Sequence, residues 1–392
     1  MESRTAPRVA LPARTAHRRI DVDGVEVFYR ESLPERADAP VLLLLHGFPS
    51  ASHQFRRLID ALGARYRLIA PDYPGFGHTS APDGFAYSFD RLAAVTEGFA
   101  ERLGLTRFAL YLFDFGAPVG FRLALRHPER ITGLIVQNGN AYAEGLSDAA
   151  RDFTALTPDT PGAERTIMGL FTEEATRSQY EGGTSDPSLV APEGWLLDQH
   201  FLDLPGHKQA QLALAYDYKS NVAAYPAWQK WLREHRPPTL ITWGVNDPFF
   251  PEPGARAYLR DVPDAELHLF ETGHFALEDH LPQIAPLIAD FLDRAWASVD
   301  GPLRPERVRG PAVAQILAFR GLLKRRAHPP PDVMMGGLAV RAKWTARPPG
   351  CAVRSGRPPP TVRTGHPPGA LSYAVRDRPG AGCRARSSSP TV

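Results

Sequence analysis

An aspartate stands at a turn that would turn its side chain into a nucleophile. Leu112-Phe113-Asp114-Phe115-Gly116-Ala117-Pro118 joins an apolar, strand-like run directly to a helix-like one. A strand-to-helix turn this sharp strains the backbone of its central residue and lifts that side chain above the sheet edge. A carboxylate there is already ionised at neutral pH and needs no base to activate it. It is a weak nucleophile, suited to an sp³ carbon that bears a leaving group or lies in a strained ring, and the product is an alkyl ester on the enzyme. Breaking that ester takes an activated water. His274, in Gly273-His274-Phe275, is the candidate base. Asp247, which ends Trp243-Gly244-Val245-Asn246-Asp247, is the candidate acid that orients it, and Glu144, just beyond the apolar run ending at Gln137, is its rival. The backbone N–H groups of Phe48, in His46-Gly47-Phe48-Pro49, and of Phe115 are the candidates to hold the oxyanion. A serine at position 114 would attack acyl carbonyls; Asp114 disfavours that esterase and lipase chemistry.

Each of these residues follows an apolar run of strand length. Val41–Leu45, Arg67–Ala70, Phe108–Phe113, Ile131–Gln137, Thr239–Trp243 and Glu266–Phe270 read as strands, and Ile20–Tyr29 as a hairpin about Asp23-Gly24. Phe89–Leu103, Ala117–Leu125 and Leu281–Trp296 have helical spacing. Strands alternating with helices predict a mostly parallel sheet covered by helices on both faces. Residues 142–238 break the rhythm. They hold no buried-strand run, and Glu164–Phe171, Glu193–Leu202 and His207–Tyr218 read as helices, so this stretch is expected to be a helical insertion between two strands. The layout is therefore 20–141 and 239–300 as two parts of one core, with 142–238 as its cap.

With strand context, the order nucleophile, acid, histidine resembles that of the α/β-hydrolase superfamily, in its aspartate-nucleophile branch of epoxide hydrolases and haloalkane dehalogenases. The resemblance covers residues 20–298 and includes Asp72-Tyr73-Pro74-Gly75-Phe76-Gly77, which is similar to the family's D-x-x-G-x-G loop. It implies an α/β-hydrolase fold with a helical cap, a small-molecule substrate and no cofactor or metal. His46 is then expected to be structural and Asp72 to order its loop. One departure is Leu112, where the family's turn has a small residue. Haloalkane dehalogenases of this branch resemble one another in a Trp after the nucleophile, and many in an Asn after the His-Gly; here Phe115 and Phe48 stand there. Fluoroacetate dehalogenases have an Arg after the nucleophile, also absent. Epoxide hydrolases donate a proton from cap tyrosines. Tyr216-Asp217-Tyr218-Lys219-Ser220-Asn221 resembles the motif carrying one of them, which makes Tyr218 the donor, with Tyr180 the choice for a second and Tyr142 and Tyr225 the alternatives. The resemblance thus implies an epoxide hydrolase first, a haloalkane or haloacid dehalogenase second. A non-catalytic ligand receptor on the same fold is a third reading, but it would not need Asp114, Asp247 and His274 together.

Composition sets the outer bounds. The 392 residues are 43% hydrophobic and 22% charged, as in globular proteins, with no apolar run of about 18 residues to cross a membrane. Cys351 and Cys383 are the only cysteines, so residues 1–350 have neither a disulfide framework nor a thiolate metal site. The net charge of +2 hides a split: residues 301–392 carry 17 Lys and Arg against 3 Asp and Glu, leaving 28 against 40 in the rest. That segment also holds 15 of the 39 prolines and is expected to be a disordered basic tail. Residues 1–19 have no apolar signal-peptide core and are expected to be a disordered leader, which points to the cytoplasm. The acidic body gives no reason to expect nucleic-acid binding.

Overall fold

The computed structural model describes residues 12–300. Eight strands form one sheet: β1 (Thr15–Val22), β2 (Val25–Ser32), β3 (Val41–Leu45), β4 (Arg67–Pro71), β5 (Phe108–Phe113), β6 (Ile131–Gln137), β7 (Thr239–Gly244) and β8 (Glu266–Phe270). Their order is β1-β2-β4-β3-β5-β6-β7-β8. β2 runs antiparallel to both β1 and β4, and every other pairing is parallel. β5 lies mid-sheet and all six of its side chains are buried. Alternation along it sends Leu110 and Leu112 into one apolar layer and Tyr111 and Phe113 into the other.

Helices α1 (Arg56–Leu62), α2 (Phe89–Arg102) and α3 (Gly116–Arg126) follow the first strands. The cap between β6 and β7 comprises α4 (Asp148–Thr154), α5 (Ala163–Met168), α6 (Glu173–Glu181), α7 (Pro192–Leu202), α8 (His207–Asp217) and α9 (Lys219–His235), with short 3₁₀ turns and no strand. The core resumes with α10 (Pro253–Asp261), α11 (Ala276–Asp279) and α12 (Leu281–Asp300). α2 and α3 pack on one face of the sheet, α1 and α12 on the other. The sequence expectation of a parallel sheet with two helical layers holds. Among the described residues no helix is long and apolar enough to cross a membrane.

One boundary is corrected. β1 begins at Thr15, inside the span expected to be a disordered leader, and pairs residue for residue with β2 from Thr15–Ser32 to Val22–Val25. It is an edge strand whose outward side chains are charged, which hides the alternation. Arg18 pairs with Glu31 and Arg19 with Glu26 across the ladder. The hairpin turn takes positive φ at both Asp23 (51°) and Gly24 (85°), the geometry an Asp-Gly pair favours. Residues 1–11 of the expected leader and all of the expected 301–392 tail lie outside the described residues.

Candidate active site

Asp114 sits between β5 and α3 with φ of 47°, the strained left-handed conformation the sequence pattern implies for this turn. The turn closes only because its neighbours are glycines. A Cβ on Gly116 would stand 2.1 Å from the Leu45 carbonyl oxygen, and one on Gly47 would stand 2.2 Å from Asp114 Oδ1. The departure at Leu112 has a physical answer on the facing helix. A Cβ on Gly120 of α3 would lie 2.2 Å from Leu112 Cδ2, so the volume added on the strand is matched by volume removed from the helix.

Two backbone N–H groups meet the Asp114 carboxylate. That of Phe48 donates to Oδ1 at 2.6 Å, and that of Phe115 bonds it as well. Burial raises the Asp114 pKa to about 6, against the pull of His274 and of the two N–H groups. Asp114 Oδ2 lies 4.0 Å from His274 Nε2, too far for a hydrogen bond.

His274 follows β8 and is fully enclosed by rings, with Phe113 4.6 Å away between centroids and Phe250 5.8 Å away. Its Nδ1 is 2.6 Å from Asp247 Oδ2. Burial alone would lower the imidazole pKa. Asp247 beside it and Asp114 opposite outweigh burial, and the net shift is upward. Asp247, in the loop after β7, has every acceptor position engaged: Oδ1 takes the N–H groups of Phe249 (2.8 Å) and Phe250 (3.1 Å), and Oδ2 also takes Asn138 Nδ2 (2.8 Å). Glu144 is elsewhere. It is half-exposed and pairs with Arg260, so of the two acids considered it is Asp247 that meets His274.

Asn138 and Gln137 were not singled out by sequence reasoning. Asn138, at φ of 45°, grips both Asp247 and the end of β7, accepting from the Gly244 N–H at 3.0 Å. Gln137 Nε2 donates to the His274 carbonyl at 3.2 Å, and its own carbonyl accepts from Tyr111. The available signal was the abrupt Gln-Asn after the apolar run Leu134–Val136. His46 is structural, as expected: burial lowers its pKa to about 4, and its neutral Nε2 accepts the Tyr73 N–H at 3.1 Å. Asp72 orders its loop by accepting the N–H groups of Ser52 and His78.

A cavity of about 410 Å³ opens above Asp114, with walls from both the core and the cap. Asp114, His274, Phe48, Phe115 and Tyr218 line it; among the described residues no Lys, Arg or Trp does. Burial, with Tyr225 and Asp114 nearby, pushes the Tyr218 hydroxyl well above the usual phenol range. The Tyr225 hydroxyl, which accepts from Asn140 Nδ2 at 3.1 Å, stands behind it. Tyr180 is a correction. Its ring lies flat on Phe275, and its hydroxyl donates to Asp198 Oδ2 at 2.6 Å, turned away from the cavity; its neighbour Gln179 faces the cavity instead. Tyr142 is also excluded, donating to Asp261 at 2.7 Å. Among the described residues one His and carboxylate cluster has ligand atoms within 4.8 Å of one another, Glu97, Glu101 and His127 on the surface. Arg126 and Arg130 already pair with its carboxylates.

The profile of the α/β-hydrolase fold family matches residues 40–281. An uncharacterised hydrolase of Saccharomyces cerevisiae is 42% identical over 268 residues, 67% of this chain and 92% of the yeast protein. Haloalkane dehalogenase 2 of Mycobacterium bovis is 28% identical over 265 residues, 65% of this chain and 89% of the relative. The crystal structure of haloalkane dehalogenase DbeA from Bradyrhizobium elkani shares the fold, with a TM-score of 0.63 at 22% identity, over 73% of this chain and all of that one.

Proposed function

The chain belongs to the α/β-hydrolase family, and from that premise we propose that it hydrolyses epoxides to diols through a covalent ester on Asp114. The observation that carries this reading is the pairing of Asp114 with Tyr218 across one apolar cavity, while the rings nearest the carboxylate, Phe48 and Phe115, offer no side-chain N–H for a halide. Asp114 Oδ2 attacks an epoxide carbon; the C–O bond breaks, and the ring oxygen takes the proton of Tyr218, whose raised pKa keeps that proton in place until then. Oδ1, held by Phe48 N–H, becomes the ester carbonyl oxygen. The 4.0 Å between Oδ2 and His274 Nε2 leaves room for a water. Neutral His274 takes a proton from that water, hydroxide adds to the ester carbon, and the two backbone N–H groups stabilise the oxyanion. Collapse breaks the bond to the substrate oxygen, which takes the proton from His274; the Asp114 carboxylic acid left behind releases its proton, one proton returns to the Tyr218 phenolate, and both groups stand as they began. Asp247 holds the imidazole in the tautomer with Nε2 free and stabilises its charge.

A second reading, haloalkane dehalogenation, is favoured by Gln179. Its carboxamide lines the cavity and makes no hydrogen bond to the described residues, so its N–H is free for a leaving halide. The mycobacterial relative's name points the same way. Among the described residues no cation lines the cavity to receive the carboxylate of a haloacid, which favours neutral substrates. One experiment separates the readings. His274→Gln should react once and stall, because only ester hydrolysis needs the base; that step slows by about 10²–10⁴-fold. Peptide mass spectrometry should find an adduct on Asp114 that contains the whole epoxide, or a haloalkane less its halogen. Tyr218→Phe should slow adduct formation from the epoxide alone. A substrate turned over by the wild type that leaves no adduct in His274→Gln, with Asp114→Ala still active, excludes the covalent route.

A further inference from the structure

One short cap segment, residues 180–184, lies against both loops that carry the His274–Asp247 pair. The Tyr180 ring stacks on Phe275, next to His274, with centroids 3.8 Å apart and planes 8° from parallel. Gly182 and Gly273 meet backbone to backbone: a Cβ on Gly273 would stand 1.8 Å from the Gly182 carbonyl oxygen. Gly183, at φ of 84°, accepts Asn246 Nδ2 at 3.2 Å, and Asn246 precedes Asp247. Thr184 Oγ1 donates to Asp279 Oδ2 at 2.6 Å, the same oxygen that takes the Thr272 hydroxyl at 2.6 Å. The segment is pinned from behind. The Tyr180 hydroxyl donates to Asp198 of α7; the other Asp198 oxygen is 2.9 Å from Nε2 of His53, in the turn after β3, in a geometry that makes no hydrogen bond. Asp198 is wholly buried and His53 nearly so. A buried carboxylate without a partner would be costly, so the Tyr180 hydroxyl, the one hydrogen-bond donor the described residues give Asp198, ties the end of α6 to α7.

We infer that Tyr180 and Asp198 are positioning residues for His274, holding Phe275 and the loop after β8 so that the imidazole keeps its aim at the Asp114 ester. This rests on the proposed role of His274 as base in ester hydrolysis. It separates the cap's tasks: Tyr218 serves ester formation, and the Tyr180 segment serves ester breakdown. Misaiming a group by about 1 Å costs about 10²-fold in rate. The cost should fall on the second half-reaction alone, because Asp114 attacks without a base.

The test is transient kinetics on the full chain with an epoxide that the wild type turns over, using Tyr180→Leu, Tyr180→Phe and Asp198→Asn. In Tyr180→Leu, hydrolysis of the alkyl-enzyme should slow by about 10²-fold, with the alkylation rate unchanged. kcat and KM should then fall together, leaving kcat/KM in place, since slow breakdown traps the enzyme as ester. A residue that merely walls the pocket would instead lower kcat/KM. Tyr180→Phe keeps the stacked ring and should recover to within about tenfold of wild type, the cost of one hydrogen bond. Asp198→Asn keeps the shape of the set but not its charge, and should fall between the two. Alkylation slowed as much as hydrolysis in these variants overturns the inference. If Tyr180→Leu does not fold, wild-type hydrolysis in both Tyr180→Phe and Asp198→Asn overturns it. His274→Gln runs alongside. An adduct there with wild-type hydrolysis in the Tyr180 series overturns the positioning role only; no adduct there overturns the covalent reading and this inference with it.

Discussion

The sheet edge and the cap both hold buried polar side chains near one cavity, and they hold them by different means. At the sheet edge the backbone does the holding. Asp114 and Asn138 sit in left-handed conformations at the ends of adjacent strands, and Gly47 and Gly116 give the turn the space it needs. In the cap, side chains hold one another: Tyr180 by Asp198 and Phe275, Tyr218 by Tyr225 and rings of the core. Backbone constraints leave local marks in a sequence, whereas contacts between helices brought together by folding do not. The chemistry at the sheet edge should therefore respond all-or-none to substitution, and the cap by degrees.

The largest effect should come from Asp114 itself. Asp114→Asn should form no adduct, with turnover lowered by about 10⁶-fold, as when other covalent nucleophiles are removed. In the proposed mechanism, alkylation needs the ionised carboxylate. Its rate should fall about tenfold per pH unit below pH 6, the value to which burial raises this group. Ester hydrolysis in that mechanism needs neutral His274, whose pKa is raised above its ordinary 6.5, so that step should quicken as pH rises past this value. Separate acid limbs in kcat/KM and kcat are the observable. The same shift acts on stability. Folding raises the Asp114 pKa from its ordinary 3.8, so the folded state binds the extra proton. The stability this lends is complete below about pH 4 and lost as pH rises through about 6. Asp114→Asn should consequently unfold later than the wild type at pH 8, by up to about 3 kcal/mol. Equal unfolding midpoints at pH 8 would mean that His274 and the backbone N–H groups fully offset the cost of burial.

Core strands, the turn that carries Asp114 and the strand that brings Asp247 to His274 were all readable, because strand length, turn residues and chain order are local properties. What was missed was tertiary. β1 was hidden by its charged outer face. α9 carries Pro226 in its interior and α6 is mostly polar, so neither stood out as a helix. Tyr180 and Gln179 are neighbours on one helix, and which of them faces the cavity depends on a rotation of about 100° that no short motif encodes.

Leu112 and Gly120 test whether the turn tolerates its unusual strand residue only because the helix yields. Gly120→Ala puts a methyl 2.2 Å from Leu112 Cδ2. Overpacking of this kind should destabilise by about 1–3 kcal/mol in chemical denaturation. Adding Leu112→Ala should recover part of that loss, with a coupling of about 0.5–3 kcal/mol. Strict additivity would show that α3 moves as a body and that the pair is not matched.

The smallest effect should come from Tyr225, and it bears on how the cap aims its proton. The Tyr225 hydroxyl accepts from Asn140 Nδ2 and stands next to the Tyr218 hydroxyl, whose pKa burial and this neighbour raise. A polar neighbour at this place anchors the Tyr218 oxygen at the cavity wall. Tyr225→Phe removes this without touching the cavity wall, since Tyr225 does not line it. Asn140 Nδ2 keeps a partner in the Tyr142 carbonyl at 2.9 Å, so no new orphan donor is made. One neutral hydrogen bond is worth about 0.5–1.5 kcal/mol, which corresponds to about 2- to 12-fold in rate. Alkylation by an epoxide should slow by that much in Tyr225→Phe, and ester hydrolysis should not change. A haloalkane, which takes no proton from Tyr218, should react at the wild-type rate. Slowing of both substrates alike would make Tyr225 a packing residue, and the cap would then aim Tyr218 through Phe89 and Phe115 alone.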